Sequence, residues 1–129
     1  MSRLTPVHSD RAPRAIGPYS QAMAVDGWVF CSGQIPIDPE TGELSTGDVR
    51  EQTDLVLKNL AAVLEAAGSS LQSVVKTTVF LADIEDFADM NEVYASHFVE
   101  HRPARAAVEV GALPKRCSVE IECIARTES

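Results

Sequence analysis

The sequence predicts a single α+β domain of two layers, a mixed β-sheet with two helices packed on one of its faces. Three observations lead there. The periodicity of apolar residues runs ββ, α, β, α, ββ along the chain. Two helices are too few to cover both faces of a sheet of about five strands. A chain of 129 residues suffices for one core without disulfide or metal staples, and leaves no room for a second domain. A composition of 45% hydrophobic and 23% charged residues is that of an ordinary globular protein, which excludes disordered, collagen-like and coiled-coil classes.

Each element has a local cause. Residues 1–17 carry Pro6, Pro13 and Gly17 without an apolar period and are expected to form an irregular arm. Residues 19–25 and 28–32 are β-compatible runs about Asp26-Gly27, the pair a two-residue type I′ turn prefers because both positions need φ > 0. Residues 33–47, with Pro36, Pro39, Gly42 and Gly47, are expected to be a long loop able to border a site or a partner. Asp48 with Glu51 has the form of a capping box, and Val49, Val56, Leu60, Val63, Leu64 and Ala67 trace an apolar stripe that Gly68 closes. The Val, Thr and Phe of 74–81 make a strand. A second helix is expected over 86–98, where Phe87, Met90, Tyr94 and Phe98 recur at helical spacing, and strands follow at 105–110 and 117–126.

The balance of 11 Lys and Arg against 19 Asp and Glu gives a net charge of −8, which repels a polyanion, so nucleic acid is not an expected partner. Cys31, Cys117 and Cys123 form an odd set without a CxxC pair and are read as reduced, buried thiols. The N-terminal stretch has no secretory h-region and no window approaches the ~18 apolar residues of a membrane span, so a cytoplasmic address without membrane association is expected. His97-Phe98-Val99-Glu100-His101 fits the H-x-x-E-H pattern of inverted zinc peptidases, but Arg102-Pro103 ends the helix at once; a solvated helix end, not a metal site, is expected. Without a nucleophile elbow, a phosphate-cradling loop or a dinucleotide fingerprint, no cofactor is implied.

Strand parity points toward a site. In 105–110, Ala106, Val108 and Val110 are wholly apolar, while the alternate set Arg105, Ala107 and Glu109 carries the charges. In 117–126 the apolar set is Cys117, Val119, Ile121, Cys123 and Ala125. Setting both apolar sets beneath the helices makes Arg105 and Glu120 project together from the opposite face. That face also carries apolar area from 74–81, which a monomer does not normally leave open, so a cyclic homo-oligomer with ligand clefts between subunits is expected. Arg105 sits among Ala104, Ala106 and Ala107, which leaves room for a carboxylate against its guanidinium; its competing role is an ion pair with Glu109 or Glu120. Glu120 is the matching acid, base or water-positioning group, its competing role a plain exposed charge.

At these residues the chain resembles the RidA family, also called the YjgF family. The resemblance runs through AIGPYSQA (15–22), CSGQIPIDPETGEL (31–44), LEAAGSSL (64–71), VVKTTVFLADIEDFADMNEVY (74–94), RPARAAVEVGALPK (102–115) and VEIECIA (119–125). It implies a chorismate-mutase-like domain assembled as a homotrimer with clefts between subunits. It also implies hydrolysis of 2-imino acids such as 2-iminopropanoate and 2-iminobutanoate to 2-oxo acids and ammonia. A non-catalytic, carboxylate-sensing or partner-binding trimer on the same fold is the alternative; a ribonuclease role attached to some relatives sits poorly with the charge. Carried over position by position, Arg105 clamps the substrate carboxylate and Glu120 orients or deprotonates the attacking water. Tyr19, Ser32 and Gly33 line the cleft, and Asn91 is a polar wall. Ala107 stands where many members have Cys or Thr, so its contribution is limited to the backbone N–H.

Overall fold

The two strands of the expected hairpin, β2 (Ala22–Val25) and β3 (Trp28–Gln34), pair antiparallel in the structure, a computed structural model that describes residues 3–128. Both turn residues between them are left-handed, Asp26 at φ 52° and Gly27 at φ 81°, as a type I′ turn requires. Helix α1 (Val49–Ala66) starts where the Asp48 carboxylate accepts a hydrogen bond from the Glu51 amide at 3.0 Å. It ends in a Schellman arrangement: the Ser69 amide donates to the Leu64 carbonyl and the Gly68 amide to that of Glu65, with Gly68 at φ 79°. Strand β4 (Val74–Leu81), helix α2 (Phe87–His97) and strands β5 (Ala104–Glu109) and β6 (Val119–Arg126) complete the expected order.

With a short first strand, β1 (Thr5–Val7), the six strands form one sheet in the order β1-β2-β3-β6-β4-β5. All neighbours are antiparallel except β4 and β5, which run parallel because α2 carries the chain back between them. Val29, Val79, Leu81, Val119, Ile121 and Ala125 are fully buried under the fully buried Val56, Leu57, Val63 and Leu64 of α1. The thiols of Cys31, Cys117 and Cys123 are free and buried, as expected. No helix among the described residues is long and apolar enough to cross a membrane.

Of the expected irregular arm, residues 1 and 2 lie outside the described residues, and residues 3–17 are not wholly irregular. Thr5–Val7 adds an edge strand to β2, a pairing made by backbone groups and hence invisible to side-chain periodicity, and Pro6 is tolerated there because the strand lies at the edge. Farther along, Ser9 and Pro13 are tied down by buried Gln21, which accepts from the Ser9 amide at 2.6 Å and donates to the Pro13 carbonyl at 2.7 Å. Gly33 and Gln34 belong to β3 rather than to a loop, and the ladder to β6 shifts register between Cys31 and Gln34, which marks a bulge.

The parity expected for β5 is reversed. Arg105 stands level with Thr77 and Ala107 with Val79, and both partners are buried beneath the helices. Arg105 and Ala107 therefore face α2, while Ala106 and Val108 lie on the open face, Val108 being 42% exposed. The physical reason is that β5 is an edge strand whose cover is not apolar core but polar and aromatic side chains of α2, which accept a cation. Glu120, level with Phe80, does lie on the open face.

Candidate active site

Arg105 is held by one helix. Its Nη1 donates to Asn91 Oδ1 at 2.7 Å, and its Cζ lies 4.8 Å from the Tyr94 ring centroid and 5.4 Å from that of Phe87. These residues are neighbours on α2 because they recur at three- and four-residue spacing. Tyr94 is fixed in turn by the hydrogen bond between its hydroxyl and Thr77 Oγ1, 2.7 Å long. Burial pushes the Tyr94 phenol above its ordinary pKa, so it remains neutral under the cation. Among the described residues no carboxylate lies within ion-pair distance of Arg105. The ion pair with Glu109 or Glu120 is thus not formed, and Glu109 accepts from the Ile84 amide at 2.9 Å instead. A guanidinium has five N–H donors, so Asn91 leaves most of them available to a cavity of about 580 Å³ that Arg105 and Asn91 line together.

Glu120 opens on a second cavity, of about 490 Å³, together with Tyr19, Ser32 and Gly33. The β3 bulge brings Gly33 so close that a Cβ there would collide with Glu120 Oε2. Ser32 Oγ donates to the Ser20 carbonyl at 2.6 Å, and the Tyr19 hydroxyl accepts from the Ile16 amide at 3.4 Å, with Tyr19 itself 52% exposed. Burial, and then the neighbouring charge of Glu122, push the Glu120 carboxyl above its usual range, the direction a general base working near neutrality requires.

The residues named from the sequence thus fall into two groups. Arg105, Asn91 and Ala107 stand on the helix side; Glu120, with Tyr19, Ser32 and Gly33, opens the other cavity. Within one chain Arg105 and Glu120 lie on opposite faces of the sheet, which corrects the expectation that they share one. The two imidazoles of H-x-x-E-H go to different partners, His97 to Asp54 at 2.8 Å and His101 to the Val74 carbonyl at 2.5 Å. Phe87 and Tyr94, the platform beneath Arg105, read in the sequence only as stripe positions, since an aromatic at helical spacing looks the same over core or cation. Arg14 and Lys115 also line the Glu120 cavity; Lys115 closes the segment 102–115 of the resemblance, which assigns it no role, and Arg14 lies outside all of its segments.

Fold and site together define a class: a small α+β domain with a helix-held cation at the edge of a cavity on one sheet face and a half-buried glutamate on the other. The profile of the family described as Endoribonuclease L-PSP matches residues 9–127. A RutC family protein of Pyrococcus abyssi is 56% identical over 122 residues, 95% of this chain and 96% of its own. The human 2-iminobutanoate/2-iminopropanoate deaminase is 50% identical over 119 residues, covering 92% of this chain and 87% of its own. The crystal structure of RidA from the Antarctic bacterium Psychrobacter sp. PAMC 21119 matches with a TM-score of 0.91 and 49% identity, over 95% of this chain and 98% of its own. The chain belongs to the RidA (YjgF) family. Its relatives at about half identity include imine deaminases, which supports a deaminase role at the level of the family.

Proposed function

We propose that this protein hydrolyses reactive 2-imino acids, 2-iminopropanoate and 2-iminobutanoate among them, to 2-oxo acids and ammonia. The observation that carries the reading is Arg105: a guanidinium fixed by Asn91, Phe87 and Tyr94, at the edge of a cavity, and met by no carboxylate of the described chain. It binds the substrate carboxylate through two parallel charge-assisted hydrogen bonds, each worth about 1.5–3 kcal/mol.

The catalytic partner comes from a second copy. Arg105, Asn91 and Ala107 of one subunit meet Glu120, Tyr19, Ser32 and Gly33 of the next in a homotrimer. Two features support this assembly: the sheet that separates Arg105 from Glu120 within a chain, and the apolar open face, where Phe30 is 46% and Val108 42% exposed.

A protonated imine carbon is already electrophilic, so orientation supplies most of what catalysis needs. Glu120, as carboxylate, takes a proton from water while the water oxygen bonds to that carbon. The same carboxyl returns the proton to the nitrogen of the tetrahedral adduct. The C–N bond then breaks, ammonia leaves with the hydroxyl proton as ammonium, and the 2-oxo acid remains. The sequence uses only this chain's residues, water and substrate.

The test is ammonia release from imines generated in place by an amino acid oxidase, with and without the protein. Native protein accelerates release; Arg105→Ala lowers the acceleration by about 10²-fold or more while retaining its fold and oligomeric state. Native protein that binds 2-oxo acids but leaves ammonia release at the spontaneous rate would point to the carboxylate-sensing trimer.

A further inference from the structure

We infer that the Glu120 cavity holds a second anion subsite, formed by Arg14 and Lys115, which selects 2-imino acids whose side chain ends in a carboxylate. The inference rests on the deaminase reading of this cavity and names its substrate class. Arg14 and Lys115 line both the cavity of about 490 Å³ that contains Glu120 and an adjoining one of about 310 Å³, so they stand where the two meet. Among the described residues neither has a carboxylate within ion-pair distance. Glu120 in the first cavity and Glu40 in the second are the acids that share these walls. In a chain of net charge −8, the Glu120 cavity itself thus has two cations against one acid.

Both cations ride on anchored backbone. Lys115 lies between Leu113 and Cys117, both buried, and the Cys117 amide donates to the Pro114 carbonyl at 3.3 Å. Lys115 and Arg116 are both left-handed, at φ 56° and 60°, a conformation that costs a non-glycine residue about 1–2 kcal/mol. Such strain persists where the surrounding structure imposes it, and it concentrates at binding sites. Arg14 follows Pro13, whose carbonyl is held by buried Gln21 at 2.7 Å. Ile16 and Ile37 also line both cavities and offer an apolar wall for the methylenes of a side chain whose terminal carboxylate reaches the two cations.

Calorimetric titration with two stable 2-oxo acids, 2-oxoglutarate and 2-oxobutanoate, tests the subsite without turnover. Native protein binds 2-oxoglutarate about tenfold or more tightly than 2-oxobutanoate, the scale of an added charge-assisted contact. In the double variant Arg14→Gln, Lys115→Gln the ratio falls toward one, and in Arg105→Ala the ratio is kept although both acids bind weakly. Equal affinities in native protein, an unchanged ratio in the double variant, or loss of the native oligomer in that variant overturns the subsite. A preserved 2-oxoglutarate preference with no imine hydrolysed faster than spontaneously supports the subsite and removes the reaction.

Discussion

A methyl group on Gly33 would take the space of Glu120 Oε2, while the backbone of Gly33 is not in the left-handed region. The collision of a Gly33→Ala substitution therefore falls on the carboxylate, not on the strand. We expect this variant to melt close to native and to lose about 10²-fold in kcat, the usual cost of moving a reacting group by ~1 Å. A thermal melt beside a steady-state assay reads both, and undiminished turnover would remove Glu120 as the base. Glu122 offers a gentler probe, because its charge helps to hold the Glu120 carboxyl above its usual range. Glu122→Gln removes a like charge, so Glu120 loses its proton more readily and the acid limb of kcat/KM moves to lower pH, by roughly a few tenths of a pH unit. A limb that stays put or moves upward contradicts the assignment. Arg105 was legible as a candidate because a charge among alanines stands out, and Glu120 through the resemblance at 119–125, since alternation alone does not separate it from Glu122. Of the hand that holds Arg105, Asn91 was legible only through the resemblance, as a polar wall, while Phe87 and Tyr94 acquire their role only when α2 folds over β5.

Among the elements, those with local signals formed where the sequence placed them. Helix α1 has its cap, stripe and stop within its own residues, and the hairpin has Asp26-Gly27. Asp48→Ala removes the side chain that satisfies the Glu51 amide and is expected to cost about 1 kcal/mol, read as a lower denaturant midpoint at unchanged m-value; turnover per folded molecule stays native. Elements whose placement depends on a neighbour were misread or missed. β1 exists because β2 offers a backbone edge. In β4 the register to β6 shifts between Val74 and Lys76, so Val74 joins Thr77, Val79 and Leu81 on the buried side, which strict alternation from Val74 forbids. In β5 the wholly apolar set pointed to the helix side, yet the polar and aromatic cover supplied by α2 takes the set that carries Arg105.

At the scale of the molecule, the sheet order has a consequence that no single strand carries. β6 lies between β3 and β4, so Glu120 shares its cavity with Ser32 and Gly33 of β3, while Arg105 on β5 at the sheet edge turns toward α2. In the proposed trimer one chain owns two half-sites and closes neither by itself. If the proposed trimer joins them, Arg105→Ala and Glu120→Gln chains are each inactive for a different half. Denaturing them together in equal amounts and refolding the mixture allows an interface to take Arg105 from a chain defective at Glu120, and Glu120 from a chain defective at Arg105. With random assembly that occurs at about a quarter of the interfaces, whatever the number of subunits in the ring. We expect the mixture to recover about a quarter of native activity per site, whereas the two variants refolded separately and then combined without exchange recover none. A site confined to one chain predicts no recovery in either case, because every chain in the mixture lacks one of the two groups.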